Sequence, residues 1–125
     1  GFGGVLKNQS IGVASASGKA YIHSAGVTTD VGRMWRHTRD QIGFLESMAA
    51  AAQSVHEYFG GGERIVYINV MNNMSVDCDC DAHPAAPLLR DVGILASCDP
   101  VALDQACLDI VFSIVPEWIL FTAMR

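Results

Sequence analysis

The chain has 125 residues, half of them apolar and 17% charged, with a formal net charge of −5. This is enough for one packed core, and too apolar for a disordered segment. The acidic balance argues against nucleic acid as the default partner, because phosphate binding draws on clustered Lys and Arg.

The first residues, GFGG, are turn material, followed by Lys7 and Asn8. Residues 11–16 are small and mildly apolar, and suit a short strand or a buried turn. Residues 19–23 (KAYIH) have a short strand-like alternation that ends on His23. Arg33, Arg36 and Arg39 recur every third position and read as a solvated helix face. The clearest helix starts at Arg36 or Asp40 and runs to Phe59. Ile42, Leu45, Met48, Ala49, Ala52, Val55 and Phe59 mark its apolar stripe. Asp40 suits its N-terminus and Gly60 its stop. Residues 64–70 (RIVYINV) are β-branched and aromatic, apolar on both faces, as in a central strand covered by helices. Residues 92–96 (VGILA) give a second strand, and Asp99-Pro100 is a strong helix start. That helix runs to about Ser113, with Cys107 on its apolar face and Asp104 and Asp109 off it. Pro116 breaks the pattern ahead of an apolar tail, WILFTAM.

The expected fold is α/β: a small layered domain with a central, mostly buried sheet and two main helices. Residues 1–125 read as a single partial domain, a fragment of a longer chain whose N-terminal region is its expected partner. No run of about eighteen apolar residues appears, so no membrane span is expected. No basic stretch leads an apolar run as in a signal peptide, and the cytoplasm, with reduced thiols, is the expected setting.

Residues 72–100 concentrate the chemistry, with Cys78, Cys80, Cys98, His83, Asp77, Asp79, Asp81, Asp91 and Asp99. In the run Asp77-Cys78-Asp79-Cys80-Asp81, an extended chain would put three carboxylates on one side and two thiols on the other. Unpaired carboxylates are costly to bury, so the run suits an exposed loop or one folded around a cation. Three readings stay open. Cys78, Cys80 and His83, with Asp77 or Asp79, suit a borderline or soft metal such as zinc or iron. Aspartate-to-backbone bonds would suit a purely structural or partner-docking loop. Thiol redox chemistry is the third, although neighbouring carboxylates disfavour a thiolate and no Cys-x-x-Cys motif is present.

The segments GFGGVLKN, GKAYIHSAG, FLESMAAAAQSV, YINVMNNMSVDCDCDAHPAAP and DVGILASCDPVALDQACLD resemble the family catalogued as domain of unknown function 362. Its members often carry the label of uncharacterised iron–sulfur centre proteins. Many hold a ferredoxin-like insert after the His-Ser pair. Here the stretch from His23-Ser24 to the long helix has no cysteine, so no ferredoxin-type cluster motif is expected. The resemblance implies that Lys7, Asn8, His23, Asp91 and Asp99 contact a cofactor and converge on one pocket with Asp77, Cys78, Asp79 and Cys80. Residues 113–125 depart from the family pattern.

Overall fold

The computed structural model describes residues 4–37, 40–77 and 81–115. In chain order these form α1 (Val5–Lys7), a π-turn (Asn8–Gly12), α2 (Ala16–His23), a 3-10 turn (Met34–Arg36) and α3 (Gln41–Tyr58). They continue with β1 (Tyr67–Met71), β2 (Gly93–Ser97) and α4 (Pro100–Ile114). The chain divides into a helical unit, Leu6–Ile65, and a sheet unit made of Gly1–Val5 and Val66–Arg125. The apolar tail 118–124 and the loop residues Cys78, Asp79 and Cys80 lie outside the described residues.

In the helical unit, the strand-like 19–23 run is the second half of α2. Ser15 caps this helix, its hydroxyl accepting from the Gly18 amide at 3.2 Å, and the Lys19 amide donates to the Ser15 carbonyl at 2.8 Å. Ala20 and Ile22 are buried and Tyr21 is exposed. Five residues with that burial satisfy a two-residue period as well as a helical one, so the cap decides the outcome. The small residues at 11–16 hold no strand; they span the end of the π-turn and the start of α2. α2 ends where Ala25 and Gly26 turn left-handed, at φ 51° and 85°.

Asp40 caps α3 as its position in the sequence suggests, its carboxylate accepting from the Gly43 amide at 2.9 Å. Gly43 is required there, because a Cβ would collide with that carboxylate and approach Ala25. The helix ends at a left-handed Gly60, φ 76°, followed by Gly61 and Gly62 at φ 67° and 100°. Its inward face differs from the expected stripe. Ala52 is buried and Phe44, Met48 and Val55 are half-buried, whereas Ile42 and Leu45 are exposed. The Gln9 side chain crosses from the π-turn to α3, its Nε2 donating to the Ala52 carbonyl at 2.9 Å. Its Oε1 is buried with no hydrogen-bond partner.

In the sheet unit, β1 and β2 form a two-stranded antiparallel sheet, with Tyr67 opposite Ser97, Asn69 opposite Leu95 and Met71 opposite Gly93. α4 packs against both strands. Side chains alternate across a strand, so one face carries Tyr67, Asn69 and Met71 and the other Ile68 and Val70. The first face holds the core, where Tyr67 and Met71 are buried with Leu103 and Cys107 of α4. The second is open: Ile68 is 59% exposed, Val70 54% and Ile94 70%. This overturns the expected central, mostly buried sheet with two main helices. Among the described residues the fold is mixed α/β, with four helices and a small, mostly exposed two-stranded sheet. The expectation failed because an apolar strand face looks the same in sequence whether or not another layer covers it.

Asp99 caps α4, accepting from the Val101 and Ala102 amides at 2.9 and 3.0 Å, with Pro100 in the first turn. Asp104 is not on a solvated face as expected. It is 7% exposed, and its Oδ1 accepts from the Val5 amide at 2.8 Å. A charge-assisted bond to a backbone N–H offsets the cost of taking the carboxylate out of water.

Candidate functional site

The acidic excursion leaves β1 at Met71 and returns to β2 at Val92. Backbone pairing continues into its neck, where the Val92 amide donates to the Met71 carbonyl at 2.9 Å. Asn73, a non-glycine residue with φ 48°, then turns the chain. Asparagine tolerates this region better than most residues. The Asn73 amide donates to Asp91 Oδ1 at 2.9 Å. Further out, the Met74 carbonyl accepts from the Leu88 and Leu89 amides at 2.9 and 3.4 Å. Innermost, Asp77 Oδ2 accepts from the Ala85 amide at 2.8 Å. The excursion is thus a set of nested closures, the innermost joining Asp77 to Ala85.

Inside that closure Asp81 Oδ1 accepts from the His83 amide at 2.9 Å, the local aspartate turn that such residues favour. His83 is exposed. Asp77 and Asp81 each use one carboxylate oxygen on a backbone amide, which leaves the other oxygen of each for a further contact. Among the described residues, no group of three or more His, Cys, Asp or Glu side chains is placed to hold a metal.

Asp91 and Asp99 each direct an oxygen at a backbone amide, Asp91 at the loop neck and Asp99 at the α4 N-terminus. Cys98, beside the α4 cap, is exposed and free. Lys7, Asn8 and His23 all belong to the helical unit: Lys7 ends α1, Asn8 begins the π-turn and His23 ends α2. His23 Nδ1 lies 2.8 Å from the Lys19 carbonyl. Its ring stacks on Phe44, with centroids 5.3 Å apart, and meets Trp35 edge-on at 5.4 Å.

Sequence reasoning missed two features. One is the Trp35–His23–Phe44 arrangement, whose members come from three separate elements. The other is the polar cluster under the sheet, where Asn69 Nδ2 donates to Cys107 Sγ at 3.3 Å. Cys107 is fully buried as expected. Its thiol pKa is raised from 9.0, first by burial and then by the charge of Asp104, while the Asn69 hydrogen bond acts the other way. That makes it a packed thiol rather than a nucleophile.

These features define a mixed α/β protein whose sheet carries an acidic, cysteine-bearing loop. Residues 1–109 match the family described as Domain of unknown function (DUF362), and the chain belongs to that family. No curated protein and no solved structure matches the chain. Among the described residues, no helix is long and apolar enough to cross a membrane.

Proposed function

We propose that the excursion between β1 and β2 is a metal- or cofactor-binding loop, with Cys78, Cys80 and His83 as the main ligands and Asp77 or Asp79 beside them. The observation that carries this reading is the 2.8 Å bond from the Ala85 amide to Asp77 Oδ2. It joins Asp77 to Ala85, the residues that bound in sequence the stretch with both thiols and the imidazole. Two soft sulfur donors, an imidazole and a carboxylate suit zinc or iron. Bound zinc would supply Lewis acidity and bound iron a redox centre. The protein's own part is to hold the donors close before the ion arrives, so that less ordering cost falls on binding. Thiol ligands bind as thiolates, so loading releases protons. Lys7, Asn8, His23, Asp91 and Asp99 are the further cofactor contacts proposed from the family resemblance, with Asp91 and Asp99 offering their second oxygens.

A second reading is a structural or partner-docking loop, held by hydrogen bonds alone. The carboxylate-to-amide bonds of Asp77, Asp81 and Asp91 favour it. Elemental analysis of protein purified under anaerobic conditions separates the two. We expect about one zinc or iron per chain after dialysis, the stoichiometry of a single closed site. Cys78→Ser/Cys80→Ser should lose the metal and keep its circular dichroism spectrum. Folded wild-type protein without metal would leave the structural reading.

A further inference from the structure

His23, named above as a cofactor contact, sits in the helical unit in an arrangement whose geometry does not depend on the acidic loop. We propose that His23 is a proton-accepting site, whose Nε2 takes a hydrogen bond or a proton from the O–H or N–H group of a small ligand. A backbone carbonyl only accepts, so the 2.8 Å contact between His23 Nδ1 and the Lys19 carbonyl requires the proton on Nδ1. The neutral ring then carries its electron pair on Nε2.

Orientation is fixed as well. Phe44 of α3 stacks on one side of the ring, the planes inclined by 23°, and Trp35 of the 3-10 turn meets it edge-on at 64°. A quarter-turn of the imidazole would lose both contacts, and the Nδ1 anchor selects between the two flipped orientations. The working nitrogen is also reachable. Among the described residues Nε2 makes no hydrogen bond, and His23 is only partly buried. A histidine that serves only to fill a core needs none of this: no anchored Nδ1, no aromatic clamp and no open Nε2.

The step is balanced. A ligand O–H or N–H bond yields its proton to Nε2, the bonding pair stays on the ligand, and His23 becomes an imidazolium. The imidazolium still donates from Nδ1 to the Lys19 carbonyl, so taking the proton does not break the anchor. Lys19, one turn earlier on α2, adds a cation on the same side of the helix as the anion forms.

The test uses the full chain, labelled with nitrogen-15. Two-bond proton–nitrogen correlation spectra should show His23 as the Nδ1–H tautomer when neutral. Diethyl pyrocarbonate, which acylates accessible unprotonated imidazole nitrogens, should modify His23, read by peptide mass mapping with exposed His37 as the internal reference. His23→Gln should lose that modified peptide alone. Phe44→Leu, which frees the ring while leaving its anchor, should keep the Nδ1–H tautomer and show a more mobile ring. The same acylation should persist in Cys78→Ser/Cys80→Ser, so failure of the metal-loop reading does not touch this one. A dominant Nε2–H tautomer, or protection of His23 while His37 reacts, would overturn the proposal.

Discussion

The two units are tied together internally by different means. In the helical unit the capping bonds are local: Ser15 to Gly18 and Asp40 to Gly43 each span three residues. In the sheet unit carboxylates reach across the sequence, from Asp91 to Asn73, from Asp77 to Ala85 and from Asp104 to Val5, the last spanning 99 residues. Charge follows the same division. The sheet unit's residues include eight acids and two bases, against five acids and six bases in the helical unit. Asp77, Asp91 and Asp104 therefore act as internal fasteners, in a unit with few cations to pair with them.

The largest effect expected from this comparison concerns the two faces of the sheet. Met71→Ala removes a buried side chain and should cost about 2–5 kcal/mol in urea denaturation. Ile68→Thr, three positions earlier on the open face, should cost less than about 0.5 kcal/mol. Equal losses would mean that the open face is covered in solution. Next comes the contrast between long-range and local carboxylates. Asp104→Ala leaves the buried Val5 amide without its acceptor and should cost about 2–3 kcal/mol. Asp40→Ala removes a single exposed cap and should cost about 1 kcal/mol. The reverse order would break the distinction between the units.

The smallest effect is on the alkaline side. The Cys107 thiol has its pKa raised in the folded state, so folding retains its proton to higher pH than the unfolded chain does. Its contribution to stability is complete below the ordinary value of 9.0 and declines as pH rises toward and through the folded value. Midpoints measured across that range should fall less steeply in Cys107→Ala than in the wild type.

What was legible in the sequence tracks the same division. Asp40, Gly60 and Asp99-Pro100 were read correctly as helix ends, because a cap and its target lie within one turn. Residues 19–23 were misread because five residues fit either period. The cover of the sheet was misread because Ile68 and Val70 are apolar although exposed. Burial of Asp104 was invisible because its partner, Val5, lies at the other end of the chain. At the candidate site the sequence marked Asp77, His83 and Asp91. It gave no sign that Asp77 and Asp91 close the inner and outer rings, since neither Ala85 nor Asn73 shows in its residue type that its amide is the partner.

The three glycines that follow α3 set a condition on handedness. Gly60, Gly61 and Gly62 all lie at positive φ, in backbone space that favours mirror-image amino acids. A D-alanine introduced at Gly61 by chemical ligation would find its preferred region where L-alanine finds strain, even though nothing lies within 4 Å of an L-type Cβ there. By restricting the unfolded chain it would favour the fold, by the same logic that makes compatible Gly→Ala changes worth about 0.4–1 kcal/mol. At this point glycine serves the chain as an achiral stand-in for a residue the ribosome does not supply.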